Sequence, residues 1–172
     1  MSQDTHRGEA GLREDLNSLA IPFEHYEHEA VFTVEESAGI KASIPGEHTK
    51  NLFLKDKDGA FWLVTVPGDM RVDLKALPAA IGCKRVSFGK PEPMLELLGL
   101  TPGSVTPLGA IHAPPGSITV VLDRGLAEAE LINVHPLRNT ATIGLSGADT
   151  LRLLRHWGHA PMIADIPALD TE

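Results

Sequence analysis

Three short segments carry residue types able to do chemistry. The first, HTKNLFLKD at 48–56, sets Lys50 and Asn51 at the head of an apolar run. On a sheet edge, Lys50 would be a solvated guard against strand pairing. At the mouth of a pocket it would hold a phosphate or a polarised oxygen. The pattern alone leaves both open. The second segment, GSVTP at 103–107, offers Gly103 for a tight turn and close backbone approach. Backbone N–H groups in such a turn can bind an anion or an oxyanion, though an ordinary loop has the same pattern. The third, NVHPLRNTAT at 133–142, places His135 in a polar turn. There it either rests as a satisfied loop histidine or fixes a substrate amine or a water.

Other chemistries are excluded by pattern. The phosphate loop GxxxxGK[ST] and the dinucleotide fingerprint GxGxxG are absent. GLSGA at 144–148 lacks the last glycine of a GxSxG elbow, so Ser146 reads as a helix cap. His25 and His28, like His156 and His159, sit three apart without the carboxylate of an HExxH site, and Cys83 is the sole cysteine. No metal site is expected, and these read as surface histidines. In a strand, three-residue spacing puts His25 and His28 on opposite faces.

The elements that must position these groups follow from periodicity. Residues 9–20 carry Leu12, Leu16 and Leu19 at helical spacing, with Pro22 as a stop. Residues 23–28 alternate as a short strand. Thr33-Val34-Glu35-Glu36 is a capping box that predicts a helix to about Ile40. Runs at 49–55 and 60–66 flank DKDG and predict a hairpin. Asp73 predicts the cap of a helix bearing Leu74, Leu77 and Ile81, closed by Gly82, with Pro78 a poor fit inside it. A strand follows at 85–88. Pro91 then opens a helix with Met94, Leu95 and Leu98 on one face, ended by Gly99. Residues 101–116 form a Pro- and Gly-rich loop. Strands are predicted at 117–122, 130–134, 140–144 and 161–166, and a helix with Leu151, Leu154 and Trp157 on one face begins after Ser146. Hairpins and helices mix without regular alternation. That predicts an α+β (mixed α/β) fold, a mostly antiparallel mixed sheet or partial barrel with surrounding helices.

The whole chain sets bounds. Its 172 residues fit a single domain. A lone cysteine, no apolar leader and no apolar run of membrane-spanning length point to the cytoplasm. The net charge of −8 argues against a protein that coats nucleic acid. Gripping one end of an RNA needs only a local basic cluster.

In this order and at these separations, HTKNLFLKD with its DKDGAFWLV hairpin, GSVTPLGA and VHPLRNTATIG resemble the YbaK/prolyl-tRNA synthetase-associated domain family. The resemblance covers about residues 12–166 and is nearest to the free-standing alanyl-tRNA(Pro) deacylases. The ends, 1–8 and 167–172, read as mobile. The resemblance implies a single editing domain that hydrolyses the ester of mischarged tRNA(Pro), releasing alanine. It implies catalytic roles for Lys50, Gly103 and His135. Val31, Phe32, Asn51, Ser104, Pro107 and Asn139 are expected to bind substrate. Neither metal nor cofactor is implied. The partners expected are the acceptor end of mischarged tRNA(Pro) and prolyl-tRNA synthetase, with no membrane and no DNA. A non-catalytic nucleic-acid-binding or synthetase-associated module is the alternative.

The segments contain no carboxylate to serve as general base. Lysine is protonated near neutral pH, and His135 has no evident Asp or Glu to orient it. The resemblance implies that the free hydroxyl beside the ester on the terminal ribose helps to position or activate the water.

Overall fold

The computed structural model describes residues 8–29 and 44–169. Helix α1 (Gly8–Ser18) precedes strand β1 (Glu24–Glu27). Strands β2 (Glu47–Asp56) and β3 (Phe61–Pro67) form the hairpin expected around DKDG. Asp56 builds its turn. One carboxylate oxygen accepts from the Asp58 and Ala60 N–H groups, the other from the Trp62 indole, and Gly59 takes the positive φ of 91°. Burial pushes the Asp56 carboxyl up, but these indole and backbone donors outweigh it and hold it below its ordinary value.

Helix α2 (Leu77–Ile81) is shorter than expected. Asp73 caps the turn ahead of it, accepting from the Lys75 and Ala76 N–H groups. Pro78 then falls in the first helical turn, where its missing donor costs nothing. Strand β4 (Val86–Phe88) leads to α3 (Pro91–Leu98), which Gly99 closes in the left-handed region. Met94 and Leu98 of α3 are buried, but Leu95 is exposed, correcting the three-residue face expected there. The long loop is two 3₁₀ turns, Pro102–Ser104 and Pro107–Ile111. Then come β5 (Thr119–Asp123), α4 (Arg124–Ala127), β6 (Ile132–Val134), β7 (Ala141–Leu145), α5 (Gly147–His156) and β8 (Met162–Ala164). Ser146 caps α5 through the Asp149 N–H at 2.9 Å, as its pattern implied.

The strands form a mixed eight-stranded sheet in the order β1-β7-β6-β2-β3-β5-β8, with β4 also on β2. The β1–β7, β6–β7, β2–β3 and β2–β4 pairs are antiparallel; β2–β6, β3–β5 and β5–β8 are parallel. The path is open, because β1 and β8 do not pair among the described residues. On one face, α1, α3 and α5 bury Leu12, Leu16, Met94, Leu98, Leu153 and Leu154 against the sheet. On the other, Leu77 and Ile81 of α2 cover Leu54, Val64 and Val66. Full burial of such side chains is worth roughly 1.5–3 kcal/mol each.

One further expectation, on His159, needs correction. Parts of the two ends are described. Gly8 opens α1, and 167–169 are held to 71–73 by Asp73 N–H to Pro167 and Leu169 N–H to Arg71. His159 is not at the surface; it is buried, with Nε2 bonded to the Ala110 carbonyl. The helix expected at 33–40, and the pocket residues Val31 and Phe32, lie outside the described residues. Among the described residues, no helix is long and apolar enough to cross a membrane.

Candidate active site

Strand β2 gathers all three segments. Asn51 Nδ2 donates to the Val105 carbonyl at 2.9 Å, and Asn51 Oδ1 accepts from the Thr65 hydroxyl at 2.6 Å. Thr49 donates its hydroxyl to the Asn133 carbonyl at 2.6 Å. One strand thus holds the 103–107 loop through Asn51 and the start of the third segment through Thr49. Both polar groups of the Asn51 amide are engaged within the protein, so Asn51 is placed as a brace. Thr49 and Thr65 were missed in the sequence. The one available signal was Thr65 itself, a polar residue inside the apolar run FWLVTVP that needs a partner when buried.

Side-chain alternation divides the site between two faces. Asn51 pairs with Thr65 and shares the face of Phe53 and Leu63, which pack beneath α3 and α5. Lys50 pairs with Val66 and so lies on the opposite face. The parallel β2–β6 ladder ends at His48–Asn133, which puts Asn133 on the face of Lys50; His135 follows two residues later, just past the end of β6. The β6–β7 and β1–β7 registers add Gly144, Thr142 and Tyr26 to that face. One face of β1-β7-β6-β2 is therefore polar, whereas its reverse buries Ile132, Val134, Ile143 and Leu145. Lys50 stands where this polar area meets the apolar area of β3 and β5. The register puts Lys50 on the sheet face of Asn133, and Asn51 with its loop contact on the other face.

Strand β2 is internal, but its second edge is divided. β6 pairs with 47–48 and β4 with 54–56, leaving 49–52 without a strand partner there among the described residues. The Lys50 side chain is half-buried and makes no ion pair or hydrogen bond among the described residues. An uncommitted cation at a gap inside a sheet does not fit the edge-guard reading.

His135 is half-buried, with Nδ1 at 3.2 Å from the Ala141 carbonyl. A carbonyl only accepts, so Nδ1 carries the proton and Nε2 presents its lone pair. Burial pushes this imidazole below its ordinary value, and nearby His28 adds to the effect against the Ala141 bond. His135 is accordingly neutral near pH 7. His28, read as a surface group, lies on the same polar face. Its Nδ1 donates to the Glu29 carbonyl and its Nε2 accepts from Thr142, each at 2.8 Å.

The turn after His135 is held from outside. Arg138 reaches Glu27 with two donors at 3.0 and 2.6 Å, Glu9 through Nε at 2.7 Å, and the Thr140 hydroxyl at 2.9 Å. Leu137 beside it has φ of 75°, a conformation costing a leucine roughly 1–2 kcal/mol. Such strain persists where the surroundings over-determine it. The Asn139 side chain is half-buried and makes no hydrogen bond among the described residues.

In the other loop, Gly103 is exposed, and its φ is not positive. The Ser104 N–H bonds the Thr101 carbonyl, while the Gly103 and Val105 N–H groups meet no acceptor among the described residues. Ser104 is half-buried and Pro107 buried, opening the second 3₁₀ turn behind a Thr106 cap. No group of three or more His, Cys, Asp or Glu residues able to hold a metal occurs among the described residues.

Comparison with known proteins decides the family. The aminoacyl-tRNA editing domain matches residues 28–153, a span containing Lys50, the 103–107 loop and His135. This chain belongs to the aminoacyl-tRNA editing domain family. Prolyl-tRNA synthetase associated domain-containing protein 1 of Bos taurus is 40% identical over 159 residues, 90% of this chain and 92% of that protein. Prolyl-tRNA editing protein ProX of Acetoanaerobium sticklandii is 34% identical over 145 residues, 84% of this chain and 88% of that one. The solved structure of a candidate trans-editing enzyme for prolyl tRNA synthetase superposes with a TM-score of 0.71 at 20% identity, over 98% of this chain and all of the other. At that identity the likeness is one of fold. In this editing domain α1, β1 and β8 lie outside the matched span.

Proposed function

We propose that this chain, as one editing domain over its length, is an aminoacyl-tRNA deacylase. It acts in trans on mischarged tRNA(Pro) and releases alanine. The observation that carries this reading is an uncommitted, half-buried Lys50 on the polar sheet face at the open stretch of β2, with a neutral His135 in the turn that follows the neighbouring β6. The names of its relatives support prolyl-tRNA as the substrate class and prolyl-tRNA synthetase as second partner; the proposed place of work is the cytoplasm. A synthetase pocket shaped for proline rejects the smaller alanine poorly, since a missing methylene is worth only about 1–3 kcal/mol. A second site that admits alanine and excludes proline by size restores accuracy. Val31 and Phe32 are the proposed walls of that pocket, with Ser104, Pro107 and Asn139 completing it.

Lys50 then holds a phosphate or the polarised ester oxygen. The free Gly103 and Val105 amides, tied to the other face of β2 through Asn51, reach the oxyanion across the open stretch 49–52, where the strand has no neighbour on that edge among the described residues. His135 Nε2 accepts from the substrate amine or from the water. The ribose hydroxyl beside the ester activates that water, and no metal or covalent nucleophile is required. The test is alanyl-tRNA(Pro) with the ester fixed on the 3′ oxygen and the 2′ hydroxyl removed. It should bind normally and be cleaved roughly 100-fold more slowly or worse. Unchanged cleavage, together with a large loss in His135→Ala, would transfer the base role to the histidine. Co-purification with the synthetase, without hydrolysis of any charged tRNA, would favour the non-catalytic module.

A further inference from the structure

The cations of this acidic chain are not evenly spread. At the far end of β2, a cleft of about 280 Å³ is lined by Lys55, Asp56, Lys57, Arg85, Val86 and Ser87. Lys84 adjoins it in sequence. Two carboxylates occur in these segments, and both are engaged. Asp56 is buried and turned into the hairpin, accepting from Asp58, Ala60 and Trp62. Asp58 pairs with Lys84 at 3.4 Å. Lys55, Lys57 and Arg85 are exposed and make no ion pair with any described carboxylate; the Lys55 ammonium lies 5.7 Å over the Phe61 ring. Phe88, on the same strand as the cleft wall, is 61% exposed. A positive cleft holding a hydroxyl donor has the chemistry of a nucleic-acid backbone contact.

We propose that this cleft grips the phosphate backbone of the tRNA acceptor stem, a contact separate from the ester site. Its place in the fold supports that partner. Lys50 and Lys55 are five residues apart on one strand, roughly 17 Å at 3.4 Å per residue. Stacked nucleotides advance by about 3.4 Å each along a strand. Lys55 faces the opposite side of the sheet from Lys50, so a 3′ end whose ester is held at Lys50 passes the strand edge and reaches the cleft after about five nucleotides, where the single strand gives way to the stem. Three available cations predict a shallow salt dependence, of the order of two to four released ions, in a protein whose net charge is −8. This assignment rests on the tRNA deacylase reading.

The experiment compares the wild-type protein with Lys57→Glu/Arg85→Glu. Dissociation constants for uncharged tRNA(Pro) are measured by anisotropy across a salt series. Cleavage is measured on alanyl-tRNA(Pro) and on an alanyl ester of the bare CCA trinucleotide. The double variant should bind tRNA about tenfold or more weakly, with its log–log salt slope reduced by about two. It should cleave the trinucleotide ester at the wild-type rate. Equal binding and slope in the two proteins, or no tRNA binding by either, overturns the cleft assignment. Failure of the wild type to cleave either ester overturns the deacylase reading instead, while the binding comparison still decides the cleft. If charge reversal unsettles the hairpin, seen as a lower melting temperature, Lys57→Gln/Arg85→Gln makes the same test with about half the effect.

Discussion

Asn51 donates from Nδ2 to the carbonyl of Val105, 54 residues later in the chain, at 2.9 Å. Its Oδ1 receives the Thr65 hydroxyl at 2.6 Å, so the amide bridges β3 to the 103–107 loop. Asn51→Asp keeps the acceptor for Thr65 and removes the donor to Val105. This variant should stay folded, lose about 1–3 kcal/mol of stability, and deacylate at least tenfold more slowly. Urea denaturation and single-turnover hydrolysis measure the two effects. Wild-type hydrolysis in Asn51→Asp would show that the loop needs no brace.

Lys50 supports nothing else among the described residues, so its removal should separate function from stability. Lys50→Ala is expected to lose most deacylation while its unfolding free energy changes by less than about 1 kcal/mol. Hydrolysis near the wild-type rate by the folded variant would remove Lys50 from the site.

His135 carries a prediction of sign. Its imidazole titrates below the ordinary 6.5, driven first by burial. The neutral form is favoured by folding, so its contribution to stability is complete above pH 6.5. It is lost as the pH falls through the depressed folded value. In an NMR titration the His135 ring resonances should move with a midpoint below 6.5. A midpoint at or above 6.5 would contradict the burial argument.

Arg138 should act on the site through the turn it holds. It keeps the Glu27 carboxyl down to about 2, with His25 assisting. At Glu9, burial opposes the two arginines Arg138 and Arg13, which prevail and lower that carboxyl too. Both groups are depressed, so the clamp is intact above the carboxylate range near 4.5 and loosens as the pH falls toward about 2. Arg138→Met keeps much of the stem and removes the clamp. It should slow hydrolysis by up to about 100-fold through misplacement and shift the His135 resonances at neutral pH, with partial rescue by Arg138→Lys. Unmoved His135 resonances would limit Arg138 to a surface ion-pair network.

Local structure was largely legible in the sequence. DKDG specified a hairpin because Asp56 can satisfy its own turn, and Gly99 and Ser146 marked helix ends because their cap geometries are local. Leu95 misled because helical spacing identifies a possible apolar face without showing what covers it. The site was legible as three segments but not as an arrangement. The bonds joining them span 54 and 84 residues, and each runs from a side chain to a backbone carbonyl, which leaves no pattern in sequence. Alternation alone could have separated Lys50 from Asn51. Bringing the third segment to the strand of Lys50 required the parallel β2–β6 pairing, formed through a long connection that no turn signal announces.

The central claim is that an uncommitted Lys50, with a neutral His135 in the turn after β6, serves to hydrolyse alanine from tRNA(Pro). The most direct measurement is the release of labelled amino acid from tRNA(Pro) charged separately with alanine and with proline. It is read at neutral pH with the purified wild-type protein and with Lys50→Ala. The account predicts rapid release of alanine by the wild type, retention of proline, and loss of most alanine release in the folded variant. Equal release of both amino acids, no release of alanine, or undiminished release by Lys50→Ala would contradict it.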